Sequence, residues 1–444
     1  MPFFHYLRLN NIQHFFNAVR DEGWRAAVRK VRNYIIIHRS GSFLSTISRT
    51  SNQRSQAPSA SSDNQYLEGI WSEVAQREAF HILHTPSINT KRRKIAMIGD
   101  LNLPQCRKYR VEQPLELWQQ KNIDYVYGHY QDTPRCVNVM QDATHLMLYR
   151  LQNNPLVSML TYEARRLRLP ILYDLDDPLF SISAYETYEN MKALPSEMKQ
   201  HFLNEAPKYL DAMNNSDMIT VSTPGMKKHT ELYTPRSVYV RRNFADCTTL
   251  EVGSLAMNSR HEDTTLFRVA FASGSMGHEI DFAIIQNDII EFLANGNNRK
   301  LMILGHFNLT LLPIELRNQI ETYPFTTYDQ YLENLAQADC AVMPLANDSF
   351  NSCKSAVRVL DASAVAVPSI VGTISDMKNV VDDQRTGFVI SDKCSWLPAL
   401  ENMATDRKAT KRMGLQARQN LEFIWSAKLD HPIIDPEIVN WVSE

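Results

Sequence analysis

Lys354 and Arg358 stand four residues apart, with Asp361 three further on, after the loop Asn347-Asp348-Ser349-Phe350-Asn351-Ser352-Cys353. Read as one helical face, two cations at this spacing can neutralise a diphosphate leaving group. The carboxylate one turn later can accept from ribose hydroxyls. A plain Arg358–Asp361 surface ion pair beside a solvated lysine is the alternative. A second loop, Ser273-Gly274-Ser275-Met276-Gly277-His278, leads from an apolar run into a helical pattern beginning near residues 279–281. Free backbone N–H groups at such a helix start suit a phosphate, although an ordinary small-residue loop has the same look. Asp174, Asp176 and Asp177 form a third cluster. Clustered carboxylates can hold a metal, do acid–base work, cap a helix or accept from a sugar. Without a second acidic cluster, no metal is expected.

These residues need a scaffold that brings distant loops together. Short apolar runs at residues 94–100, 123–129, 144–150, 170–177 and 217–223 read as buried strands, with amphipathic stretches such as 111–121 and 153–168 between them. The alternation restarts at 268–273, 300–305, 339–345, 368–372 and 387–390, after a polar stretch at 245–265 that reads as a linker. Strands separated by crossover helices predict an α/β chain with two parallel, doubly wound sheets. In such sheets ligands bind beyond the carboxyl ends of the strands, where all three clusters lie. The expected divisions are a basic extension and linker at 1–64, a first Rossmann-like domain at 90–245, a second at 265–420, and a C-terminal helix within 421–444 that crosses back to the first.

Composition narrows the chemistry. Only 14 of 444 residues are glycine, and neither Gly-x-Gly-x-x-Gly nor Gly-x-x-x-x-Gly-Lys-Ser/Thr occurs. Dinucleotide fingerprints and P-loops need glycine where backbone meets phosphate, so both are excluded. The balance of 47 basic and 49 acidic residues argues against a nucleic-acid partner. Six scattered cysteines without a Cys-x-x-Cys pair suit a reducing compartment and give no zinc site. No apolar run approaches the roughly 18 residues of a spanning helix, and no signal-peptide order opens the chain, so a cytoplasmic location is expected.

The chain resembles the two-domain GT-B glycosyltransferases, and is most similar to family 4, the group 1 glycosyltransferases. The resemblance rests on Tyr109-Arg110 followed by QPLELW, a strand ending in Arg150, YDLDDPLF (173–180), VSTPGM (221–226), RRNF (241–244), ASGSMGHEIDF (272–282), the run at 338–372 and RTGFVI (385–390). Its most specific piece is F-N-x-x-K-S-x-x-R-x-L-D followed by A-x-x-V-P. The resemblance implies a hexosyltransferase-type enzyme (EC 2.4) of polysaccharide or glycan biosynthesis, with a nucleotide-sugar donor as co-substrate, no other cofactor and no metal. It implies retention of configuration and a glycan, glycolipid or protein acceptor. Lys354 and Arg358 would then stabilise the departing diphosphate. Ser273, Gly274, Ser275, His278, Asp281, Asn351, Ser355 and Asp361 would line the donor, and Tyr109, Arg110, Asp176 and Asp177 the acceptor side. Where the family carries two glutamates and a glycine, this chain has Cys353, Asp361 and Ala366.

Those departures leave room for a catalytically silent GT-B protein that acts as a partner or glycan-binding subunit. A 2-epimerase on the same fold lacks support, because no extra acid–base pair lies near the donor loop. Residues 1–54 carry nine Arg/Lys against Asp21 and Glu22, with apolar residues at near-helical spacing, and residues 40–64 read as a flexible linker. A basic amphipathic helix on an anionic membrane surface is one reading, and a helix packed on the main body or plain disorder are the others. If the first holds, removing residues 1–54 lowers binding to anionic vesicles at low salt; unchanged co-sedimentation would reject it.

Overall fold

The computed structural model describes Trp24 and residues 92–261, 265–274, 277–391, 393–427 and 433–443. The chain divides into two compact units, Met1–Ala79 and Phe80–Glu444. The basic segment at 1–54 and the linker at 40–64 lie outside the described residues, apart from Trp24, which is helical. Everything below concerns the second unit.

Two parallel six-stranded sheets make up this unit, as the doubly wound reading expects. The first holds β1 (Lys94–Gly99), β2 (Asp124–His129), β3 (His145–Tyr149), β4 (Ile171–Leu175), β5 (Met218–Val221) and β6 (Ser237–Val240), in the order β2-β1-β3-β4-β5-β6. The second holds β7 (Phe267–Gly274), β8 (Arg299–Gly305), β9 (Ile320–Tyr323), β10 (Cys340–Met343), β11 (Ser369–Gly372) and β12 (Gly387–Ile390), in the order β12-β11-β10-β7-β8-β9. Strands β3, β4, β5 and β10 are buried at every position, because helices cover both faces of a parallel sheet. Two strands escape the sequence reading, β6 and β9. Both are edge strands; β6 is buried at two of its four positions and β9 at none, so neither shows a continuous apolar run.

Strand order then fixes where a ligand can sit. In the first sheet the chain reverses direction of growth between β1 and β3, and in the second between β7 and β10. A crevice opens at such a switch point, beyond the carboxyl ends of the two strands. The loops there begin after Gly99 and Tyr149 in the first half, and after Gly274 and Met343 in the second. These are the loops that carry Tyr109, Arg150, His278 and Lys354.

The stretch 245–265 proves to be more than a linker. Asp246 caps a helix over Cys247–Asn258, accepting from the Thr249 amide at 2.8 Å. Its Gly253 lies so close to the helix Val357–Ala364 that a Cβ would stand 2.3 Å from the Ala364 carbonyl oxygen. Gly414, on the helix Arg407–Phe423, would likewise meet the Ala366 oxygen at 2.0 Å. Two helices are thus seated against the end of the one that carries Arg358 and Asp361. Ala366, where the family has glycine, sits at φ 54°, a left-handed conformation that glycine adopts without strain.

The chain finally returns to the first half. Ser426 bridges Ala245, Ile434 bridges Arg241, and the helix Pro436–Ser443 packs Ile438 and Val442 against Ile95, Met97 and Val111. Among the described residues no helix is long and apolar enough to cross a membrane.

Candidate functional site

Lys354 lies outside the helix, contrary to the one-face reading. A short helix over Ser349–Ser352, capped by Asp348, ends in a turn where the Lys354 amide donates to the Asn351 carbonyl at 3.1 Å. The next helix starts only at Val357. The two cations therefore converge from a loop and a helix. Lys354 Nζ donates to the Tyr188 hydroxyl at 2.8 Å and lies 5.0 Å from that ring's centre. Tyr188 in turn stacks on Phe350 at 4.2 Å. Arg358 Nη2 meets the ring nitrogens of His278 at 3.2 and 3.3 Å, while its Nη1 is buried with no hydrogen-bond partner.

Among the described residues neither cation forms an ion pair with a carboxylate. Burial lowers the Lys354 ammonium from its ordinary range, against the pull of Asp281. Burial and the neighbouring Arg358 lower the His278 imidazole to about 4, so it is neutral at pH 7. The result is a part-buried pair of cations whose direct contacts are neutral groups, with carboxylates such as Asp281 further off, an arrangement that leaves room for an anion.

The surrounding candidates divide into those at this seam and those that build it. Asp281 and Asn351 are fully buried. Asp281 accepts from the Ala346 amide, Asn351 Nδ2, Asn190 Nδ2 and His278 Nδ1. Burial would raise its carboxyl, but the His278 bond first, then the Lys354 charge and the Ala346 amide, hold it at about 2. Ser273 donates to the His306 carbonyl at 2.5 Å and is also buried. Ser355 Oγ accepts from Asn243 Nδ2 of the first half at 3.0 Å. Gly274 ends β7, and Gly277 turns the loop at φ 100°. Ser275 lies outside the described residues. The helix that follows, Glu279–Ala283, is only five residues long, so its dipole is a minor contribution beside the two cations.

On the first-half side, Arg110 does not face a crevice. It is fully buried, with Nε donating to Asp174 at 3.0 Å and Nη1 to the Arg241 carbonyl and Asn243. Arg241 Nη2 and Thr220 Oγ1 also donate to Asp174, at 2.8 and 2.6 Å. Burial would raise the Asp174 carboxyl, yet the two arginines hold it below its usual range. Arg110 is therefore a structural ion-pair member rather than an acceptor contact, because its donors are spent inside the fold. Asp176 pairs with Arg150 at 2.9 Å and accepts from Tyr149, while Asp177 stands 3.5 Å from Arg150. Burial, then Asp176, raises the Asp177 carboxyl. With Asp174 matched by arginines and the other two facing Arg150, the triplet is not one convergent acidic cluster.

Tyr109 reaches across instead. It lies on one turn of π-helix, Lys108–Glu112, and donates to Asp361 Oδ1 at 2.5 Å. Tyr328 donates to the same oxygen at 2.9 Å, and the ammonium of Lys108 lies 4.4 Å from the Tyr328 ring centre. Asp361 is 4% exposed, so one of its oxygens is already engaged by two phenols. The sequence reading missed Tyr188, Asn190 and Tyr328. Each joins the site from a segment far along the chain, with no local motif to mark it.

No protein-family model and no curated protein sequence matches the chain. Solved structures do. Anabaena HepE in complex with UDP-glucose aligns with a TM-score of 0.50 at 14% identity, over 79% of this chain and 98% of that one. Sucrose-phosphate synthase from Thermosynechococcus elongatus gives 0.51 at 10%, over 76% and 95%. A glycosyltransferase from Rickettsia africae gives 0.50 at 11%, over 80% and 99%. Identities this low carry the fold alone, and the fold is GT-B.

The buried Asp361 makes a testable mark on stability. Burial raises its carboxyl to about 6. A carboxyl raised on folding contributes stability that is fully present below its unfolded value, near about 4. That contribution is lost as pH rises through the folded value. Asp361→Asn should therefore gain stability relative to the wild type between pH 4 and 7.5, by up to roughly 3 kcal/mol. Denaturant titrations at both pH values check this. A gap that stays constant across the range would contradict it.

Proposed function

We propose that this chain is a glycosyltransferase that moves a sugar from a nucleotide-sugar donor to a glycan, glycolipid or protein acceptor. The observation that carries the reading is the pair Lys354 and Arg358, unmatched by carboxylate at the switch point of the second sheet of a GT-B fold. Breaking the bond between sugar and diphosphate places negative charge on the leaving oxygens. Fixed cations aimed at developing charge in a part-buried site lower that barrier. Lys354 and Arg358 would do this work without a metal ion, with the donor as co-substrate and no further cofactor.

Asp361 keeps one carboxylate oxygen outside its bonds to the two tyrosines, and this atom would accept from the donor's ribose. Asp176 and Asp177, beside Arg150, would face the acceptor, and Tyr109 would join the acceptor half to the donor half. The reading extends to a hexosyltransferase of polysaccharide or glycan biosynthesis that retains configuration, with the leaving phosphate close to the incoming hydroxyl. A cytoplasmic enzyme held at an anionic membrane face by residues 1–54 would meet a lipid-anchored acceptor there. HepE, which shares the fold, is solved with UDP-glucose, which supports a nucleotide sugar as the ligand class.

A second reading has its own support. Asp361, the residue expected at the ribose, is already bonded by Tyr109 and Tyr328, which suits a catalytically silent partner or glycan-binding subunit. Donor-dependent release of nucleoside diphosphate, measured over a panel of nucleotide sugars, separates the two. Lys354→Ala and Arg358→Ala should each lower kcat/KM on the order of 10²-fold or more. Binding without release in the wild type would favour the silent reading. Neither binding nor release with any donor would sink the enzyme reading.

A further inference from the structure

Asp281 is fully buried, and its four hydrogen bonds fill both oxygens. Oδ1 accepts from the Ala346 amide at 2.9 Å and from Asn351 Nδ2 at 3.3 Å. Oδ2 accepts from Asn190 Nδ2 at 2.7 Å and from His278 Nδ1 at 2.9 Å. A carboxylate held ionised makes the facing imidazole nitrogen a donor. The tautomer assigned by this bond carries its proton on Nδ1 and a lone pair on Nε2. Arg358 Nη2 lies 3.2 Å from Nε2 and 3.3 Å from Nδ1, so it sits over the face of the neutral ring.

Guanidinium groups in protein interiors are usually matched by carboxylate. Here the contact is the face of a neutral ring, so Arg358 is oriented with no carboxylate touching it. Its Nη1, buried and without a partner, is left for a ligand. Asn190 belongs to the other half of the molecule, in the segment Glu189–Ala193 between β4 and β5. It is buried, and the loop carrying His278 turns around it. A Cβ on Gly277 would stand 3.4 Å from the Asn190 carbonyl oxygen.

We infer that Asn190 is a positioning residue for the anion-binding guanidinium of Arg358, acting through Asp281 and His278. The first half would thus set the donor affinity of the second without touching the donor. This rests on the nucleotide-sugar reading for the identity of the anion. It adds a route by which closure of the two halves orients the cation. Aiming the guanidinium needs the two hydrogen bonds to Asp281 and the ring contact in series, so their losses should not add.

The test is a double-mutant cycle in the full chain, read as the Kd for UDP, GDP and ADP by calorimetry. Asn190→Ala and Arg358→Ala should each weaken the best-bound diphosphate about tenfold, and the double variant should bind no more weakly than Arg358→Ala. His278→Ala should weaken binding to the same extent. His278→Gln, whose amide can donate to Asp281 and accept from Arg358, should recover most of it. Thermal unfolding of each variant verifies folding, and the glutamine rescue stands if Asn190→Ala fails to fold. Unchanged affinity in Asn190→Ala, a double variant weaker by the product of the single effects, or no rescue by glutamine would overturn the inference. Wild type that binds no diphosphate, or binding indifferent to Lys354→Ala and Arg358→Ala, would instead overturn the nucleotide-sugar reading and the inference with it.

Discussion

Positive charge held with no carboxylate in contact, at the seam between two sheets, is the constraint that organises this molecule. Taking an ammonium and a guanidinium partly out of water without a carboxylate in contact is unfavourable, so the surroundings must hold them in place. Neutral groups do so here. The Tyr188 hydroxyl and the stacked Tyr188–Phe350 rings face Lys354, and a neutral imidazole faces Arg358. Each offers a polar or π-electron contact while leaving the net charge intact. An anionic ligand would supply the larger share of the missing interaction.

The first half shows the opposite solution with similar residues. Asp174 draws Arg110, Arg241 and Thr220 into a fully buried network, and that charge is spent on architecture. From this network Asn243 reaches Ser355, one residue from Lys354. Thr223 donates to the Cys353 carbonyl at 2.9 Å, and a Cβ on Gly225 would stand 2.4 Å from the Ser352 oxygen. Arg242 adds a pair with Asp376 at 3.0 Å. The loop that carries Lys354 is thus positioned largely by side chains and backbone of the opposite half. Lys354 can sit in a loop because that loop is held on both sides.

Much of this was legible in the residues, for physical reasons. Strands buried on both faces announce themselves as apolar runs, so ten of the strands were readable, whereas β6 and β9 at the sheet edges were hidden by their mixed exposure. The helix Cys247–Asn258 was obscured because the glycine that admits it to close packing also weakens its helical signal. Spacing placed Lys354, Arg358 and Asp361 together, but spacing alone could not show the break in the helix before Val357. Arg110 was misjudged for a related reason. A charged residue beside a motif looks functional until its partners Asp174 and Asn243, distant in sequence, are seen to absorb it. Tyr188 and Asn190 reach the site only through the tertiary fold.

The most direct test of the central claim, that Lys354 and Arg358 bind an anion, is a crystal structure of the chain with a nucleoside diphosphate bound. The account predicts the terminal phosphate within hydrogen-bonding distance of both Lys354 Nζ and Arg358 Nη1, with Lys354 turned from Tyr188 toward the ligand. A diphosphate bound elsewhere, or one whose phosphates touch neither cation, would contradict it.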